Sequence, residues 1–256
     1  MNLFLIVILL FIFVFSGCVN KTTSSEEPDL TDELTLISTF SLAISDPSGL
    51  ARDPDGVHLW TVSDRAGVGI YKITKQGQIV ENLRFNSEDL EGITVDPANG
   101  SLWVVEERRR ELVNVSREGV VLSRTILDIP GNIPNDGLEG ITIRPQTGHF
   151  YVLNEKNPRL LIELDPQLNI LKITPIDFSG SFFMGDISGV DYNVRENTLW
   201  ILSDQSAKIV VTDLDGNPLR HYATGVTKGE GIAVDPVARL VYIVSDSESE
   251  LYVFSY

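Results

Sequence analysis

The sequence of 256 residues carries 36 acidic against 20 basic side chains, a formal charge of −16, with 43% hydrophobic residues and one cysteine. A surface this acidic repels nucleic acid and anionic headgroups and attracts cations, so no nucleic-acid partner is expected. A single cysteine excludes an intrachain disulfide and any cysteine-built metal site.

Residues Met1 to Gly17 (MNLFLIVILLFIFVFSG) form an apolar run that ends in small residues immediately before Cys18. This reads as the h-region of a signal peptide, and Phe15-Ser16-Gly17-Cys18 resembles a bacterial-type lipobox, in which the cysteine is lipidated and becomes the mature N-terminus. The run has no Lys or Arg ahead of it and carries Phe where Leu is commoner. The competing reading is an uncleaved transmembrane anchor, because about 18 apolar residues just span a bilayer. Either way the body is exported, and the first reading leaves it lipid-anchored to a membrane of the cell envelope. Val19 to Asp32 (VNKTTSSEEPDLTD) is polar and rich in Ser and Thr, the composition of a flexible tether. The expected organisation is a signal peptide over 1–17, lipidated Cys18 and tether over 18–32, and one folded domain over 33–256.

A strand-like run, Leu34 to Leu42, opens the body. Five segments then align without gaps, starting at Asp46 (DPSGLARDPDGVHLWTVSD), Asp89 (DLEGITVDPANGSLWVVEE), Gly137 (GLEGITIRPQTGHFYVLNE), Asp186 (DISGVDYNVRENTLWILSD) and Lys228 (KGEGIAVDPVARLVYIVSD). Their glycines, Gly49, Gly92, Gly140, Gly189 and Gly231, are spaced by 43, 48, 49 and 42 residues. Each is followed eleven residues later by an aromatic (Trp60, Trp103, Tyr151, Trp200, Tyr242) and four further on by an acid (Asp64, Glu107, Glu155, Asp204, Asp246). Within a copy, a short apolar run, an Asp-Pro or Gly-containing turn and an alternating run make a hairpin. Two further strands come next, such as Glu111 to Val115 and Val120 to Leu127. Four antiparallel strands every 40 to 50 residues, without helix-period segments, predict an all-β fold, a five-bladed β-propeller. The fifth copy ends after its third strand at Tyr256, so the N-terminal run is expected to complete the last blade and cover its edge. Six blades is the alternative, with a degenerate blade hidden near Asp177 to Gly185.

In such a fold the first strand of each blade lines the central channel. If the second hairpin turns about Asn99, Glu91 lies opposite Glu107, and the same construction pairs Ser48 with Asp64, Glu139 with Glu155, Ser188 with Asp204 and Glu230 with Asp246. All ten positions fall at one mouth, and eight are carboxylates; Asp46, Asp89 and Asp186 stand near enough to join them. Facing like charges cost a few tenths to about 1 kcal/mol per pair, so a bound cation, shared protons or neighbouring bases must compensate. Arg65, Arg108 and Lys156 each come directly after a ring acid, although strand alternation would point them away unless the strand has ended. Hard oxygen donors without Cys or convergent His favour Ca2+ over zinc or copper. The candidate metal ligands are Glu91, Glu107, Glu139, Glu155, Glu230, Asp246, Asp64 and Asp204. His58 and His149 lie in the hairpin turns at the far end and His221 in an outer strand, which speaks against a Ser-His-Asp triad here. The five aromatics read as packing between blades.

The runs GLEGITIRPQTGHFYVLNEK, EDLEGITVDPANGSLWVVEERRREL and GEGIAVDP resemble the SdiA-regulated family over about residues 34 to 256. The resemblance implies an exported or membrane-associated propeller of the calcium-regulated, phytase-like kind, with the family's acid-then-basic motif at Glu107-Arg108 and Glu155-Lys156. It implies no established reaction. Three functions remain open: a calcium-binding envelope propeller acting as sensor or scaffold for a protein partner, a metal-dependent hydrolase (phosphoesterase or lactonase) with Arg65, Arg108, Arg109, Arg110 and Lys156 available to grip substrate, or a structural module whose acid ring is neutralised internally.

Overall fold

The computed structural model describes residues 33–256 apart from 68, 88 and 131–135. The signal peptide, Cys18 and the tether expected over 1–32 lie outside the described residues. The body is twenty strands in five separate four-stranded antiparallel sheets. Sequential hairpins build four of them, with innermost strands Pro47–Arg52, Leu90–Val95, Leu138–Arg144 and Gly189–Asn193. The fifth has Gly229–Asp235 innermost, then Leu240–Ser245 and Glu250–Ser255, and takes its outer strand from the N-terminus. There Thr35–Ser41 pairs antiparallel with Glu250–Ser255, from Thr35 opposite Ser255 to Ser41 opposite Glu250. The ring is thus closed by hydrogen bonds between the two ends of the domain. Asp177 to Gly185 holds a single 3-10 turn, Gly180–Phe182, and Phe178 before it and Phe182 within it pack on the third and fourth blades. The count is five, and the six-blade alternative falls.

Burial tracks each strand's place in its blade. Second strands such as Leu102–Glu106 are buried along their whole length, while outer strands such as Ile79–Leu83 and Val121–Ile126 are mostly exposed. Five apolar clusters each span two neighbouring blades, and each contains one repeat aromatic: Trp60 packs on Leu90 and Ile93 of the next blade, Trp103 on Ile141, Tyr151 on Val190, Trp200 on Ile232 and Tyr242 on Leu50. The aromatics are wedges between blades, as their spacing predicts, and their burial is the principal apolar term holding the ring.

The repeat glycines serve a different purpose. A β-carbon built on Gly49, Gly92, Gly140, Gly189 or Gly231 would lie closer than 3.0 Å to the backbone of the adjoining inner strand. Only glycine lets five inner strands approach this tightly. The five form a collar that narrows the channel midway to a space of about 10 Å³, with a much larger cavity at each mouth.

Candidate metal centre at the channel mouth

The ring acids sit where they do because of two local features. Three of the five begin a tight turn between the second and third strands: Glu107 C=O accepts from Arg110 N–H at 3.0 Å, Asp204 from Ala207 at 3.0 Å and Asp246 from Ser249 at 3.3 Å. Arg110, Ala207 and Ser249 take the positive φ these turns require. The second feature is a bulge in four of the five inner hairpins, at or beside the residue before the collar glycine. It accounts for half of the departure from the expected pairing; the other half is a hairpin register already one residue short, which in the bulge-free fourth blade sets Gly189 opposite Leu202 and leaves Ser188 not opposite Asp204. Val95 faces Leu102 and Thr94 faces Trp103, but beyond the bulge Leu90 faces Glu106. Glu107 therefore lies beside Asp89, to whose carbonyl it donates at 3.1 Å, and not opposite Glu91. Likewise Asp64 lies beside Asp46, Glu155 beside Gly137 and Asp246 beside Lys228. Because the bulge breaks strand alternation, Glu91 is free to sit among acids from neighbouring blades.

The result is a cavity of about 260 Å³ lined by nine carboxylates and three cations. Seven of the eight candidate ligands line it: Glu91, Glu107, Glu139, Glu155, Glu230, Asp246 and Asp64. Asp204 does not, and instead pairs with Lys228 at 2.9 Å. Asp46 and Asp89 join the lining, whereas Asp186 turns to Ser203 Oγ at 2.6 Å. In blades one and four, where the repeat has Ser for Glu, the hydroxyls reach the next blade: Ser48 donates to Glu91 and Ser188 to the Gly229 carbonyl.

The bases expected to neutralise the ring do so in part. The second strands end before the ring acids, so alternation does not constrain the basic residues that come after them. Arg65 pairs with Asp46 at 3.3 Å, Arg108 with Asp89 at 3.0 Å, and Lys156 with Glu155 at 2.6 Å and Asp136 at 3.5 Å. Lys228, which the sequence alone did not single out, adds a contact to Glu230 at 3.5 Å. Its signal was available, as the one cation at a repeat position that elsewhere reads Asp46, Asp89, Gly137 and Asp186.

Three cations against nine carboxylates leave a large excess, concentrated around Glu91 and Glu139. Carboxylate oxygens of Glu91, Glu107 and Glu139 all lie within 4.8 Å of one another, and so do those of Asp64, Asp89 and Glu91. Glu91 is common to both triplets. Glu139 is only 7% exposed, no donor among the described residues hydrogen-bonds its carboxylate, and its strongest charged neighbours are Glu91, Glu230, Glu155 and Glu107. Burial first, then these acids, holds Glu139 well above the ordinary glutamate range, and burial with Asp64, Glu230 and Glu107 does the same for Glu91 against the pull of the Ser48 hydroxyl. Burial likewise raises Glu230 to about 7 despite Lys228, and raises Asp64 to about 6 with help from its hydrogen bond to Asp89. Glu107 and Glu155 are raised by burial too, less the pull of the Gly137 N–H and of Lys156 respectively. Chemically, the mouth can hold protons or a hard cation in their place.

A model of the SdiA-regulated family matches residues 33–255. The chain belongs to that family. No curated protein sequence matches it. Among solved structures, it is similar to the glutaminyl cyclase of Myxococcus xanthus, with a TM-score of 0.66, 15% identity, and 87% of this chain and 95% of that one covered. It is also similar to a luciferin-regenerating enzyme, with a TM-score of 0.54, 15% identity and coverage of 86% and 95%. A streptogramin B lyase matches with a TM-score of 0.50, 17% identity and coverage of 86% and 72%. At such identities the likeness is one of fold.

Proposed function

We propose that this family member is an envelope-anchored propeller that binds a divalent cation, Ca2+ by preference, at its acidic mouth, and works as a calcium-dependent sensor or interaction scaffold for a protein partner. The observation that supports it best is Glu91, shared by two carboxylate triplets whose ligand atoms lie within 4.8 Å, beside the buried Glu139, which has no donor among the described residues. A dication placed there meets several carboxylate oxygens from different blades. Ca2+ accepts six to eight oxygens in loose geometry, which suits a ring of five non-equivalent blades better than the strict octahedron of Mg2+ does. A lipid on Cys18 and the tether behind it would hold the propeller at a membrane.

Protein stripped with a chelator and melted with and without Ca2+ tests the reading. A ligand bound only by the folded ring stabilises it by about 2.7 kcal/mol at a hundredfold excess over Kd, roughly 5–10 °C for a domain of this size. Mg2+ should do less, and NaCl at equal ionic strength should not reproduce the effect. No rise beyond the NaCl control contradicts it.

A second reading rests on Arg108, Lys156 and Lys228, which put three cations at the edge of the same cavity. A metal-dependent hydrolase would use such groups to grip an anionic substrate while the metal activates water. Calcium-dependent turnover of phosphomonoesters or lactones, abolished by Glu91→Gln, would move the assignment there.

A further inference from the structure

Beyond the glycine collar the channel reopens into a second cavity of about 290 Å³, at the end where the inner hairpins turn. Its chemistry is unlike that of the acidic mouth. Val95, Ile143, Tyr192 and Val194, with Pro97 and Pro145, give it an apolar wall. Two charged side chains stand out against the repeat. The second position after the collar glycine reads Ala51, Thr94, Thr142, Asp191 and Ala233, and the third reads Arg52, Val95, Ile143, Tyr192 and Val234.

Asp191 is fully accounted for by its surroundings. It accepts from Thr142 Oγ1 at 3.1 Å, Tyr192 N–H at 2.8 Å and Val234 N–H at 2.7 Å, and so ties three blades together. Arg52 is not. Its ion pair is with Asp235 at 3.7 Å, beyond hydrogen-bond reach. Asp235 is already engaged by Lys75 at 3.2 Å and by the N–H groups of Val237 and Ala238 at 3.1 and 3.0 Å. Of the two acids in the lining, Asp191 interacts with Arg52 through its charge but spends its hydrogen bonds elsewhere, and Asp53 is taken by Lys72, Arg117 and Trp60 Nε1. In a chain of net charge −16, Arg52, its side chain a third exposed, thus lines a cavity of mixed apolar and polar wall and has no hydrogen-bond acceptor among the described residues.

We propose that this far mouth binds a small molecule joining a carboxylate to an apolar body, with the Arg52 guanidinium holding the carboxylate. The planar fork of an arginine matches a carboxylate in bidentate fashion. A phosphate dianion would bring a second negative charge toward Asp191 and Asp53, with one guanidinium to meet it. The volume lies at the small end of ligand cavities, which begin near about 300 Å³, so the apolar body is a single ring or a short chain. The collar separates this site from the acidic mouth, and the proposal stands whatever the fate of the calcium reading.

Phenylacetate is a suitable probe, with phenylacetamide as its uncharged match, monitored by saturation-transfer NMR and calorimetry on the full folded domain. Phenylacetate should bind the parent at least tenfold more tightly than phenylacetamide does. Arg52→Gln should weaken phenylacetate at least tenfold while melting within a degree or two of the parent, and Lys172→Gln, on an outer strand away from both cavities, should leave binding unchanged. Absence of transfer from phenylacetate, or equal binding of acid and amide by the parent, overturns the proposal without recourse to any variant. Equal binding by folded Arg52→Gln overturns it as well.

Discussion

Without metal, the folded protein should become less stable as pH rises from about 5 to 8, against the usual behaviour of paired carboxylates. Glu230 makes the size of the effect tractable. Its pKa rises from the ordinary 4.5 to about 7, through burial above all, with Asp204 and Asp246 adding to the rise and Lys228 opposing it. Between those two values the folded state keeps a proton that the unfolded chain has released. The stabilisation is complete below about pH 4.5 and is lost as pH climbs through 7. A rise of that size is worth roughly 3 kcal/mol for a largely buried group, and Glu91 and Glu139 act with the same sign. The carboxylates held low, such as Asp53, Asp213 and Asp235, lose their contribution only at more acid pH and do not mask the trend. Urea unfolding in EDTA at pH 5, 6, 7 and 8 measures it. Glu230→Gln should flatten the profile and exceed the parent at pH 8 but not at pH 5; Lys228 keeps Asp204 at 2.9 Å in the variant. Parent stability that is flat or rising over this range, or a variant with the parent's slope, would refute the reasoning.

Gly92→Ala forces a methyl against the backbone of Glu139, an obstruction that cannot rotate away, so thermal melts should show a loss at or above the upper end of the 1–3 kcal/mol usual for overpacking; a melt within a degree of the parent would show that the collar is not tight. Deleting residues 33–42 strips the partner strand from Glu250–Ser255 and should lower the melting temperature severely, whereas deleting 19–31 should not change it. Mass spectrometry of membrane-extracted protein should find lipid on Cys18, lost in Cys18→Ser; an unmodified Cys18 on a full-length chain favours the transmembrane anchor.

The ring was legible because each blade repeats the same demands. A collar position that admits only glycine and a wedge position that wants a large aromatic recur at fixed separation, and the missing fourth strand after Phe254 announced the closure by Thr35–Ser41. The gathering of acids at one mouth was legible for the same reason. The particular neighbours were not. A one-residue bulge beside Glu91 shifts every pairing beyond it, and nothing in the alternation of Leu90-Glu91-Gly92-Ile93 signals that shift. Asp204 matches the repeat but not the cavity, because Lys228, with a backbone φ of 49° at the edge of the fifth blade, draws it aside. Such ion pairs depend on side chains from different blades, whose separation the sequence does not encode. Arg52 could have been noticed as the one cation at an apolar repeat position, but its lack of an acceptor became visible only with Asp235 and Asp53 seen to be engaged.

The most direct test of the account is a crystal structure of the chelator-stripped protein grown with Ca2+ and measured for anomalous scattering. A peak should stand among Glu91, Glu107 and Glu139, or on the Asp64 and Asp89 side of Glu91, with carboxylate oxygens at about 2.3–2.6 Å. A mouth without such a peak at millimolar calcium, its carboxyl groups sharing protons with one another, would contradict the cation site and leave a ring neutralised by protons, Arg108, Lys156 and Lys228.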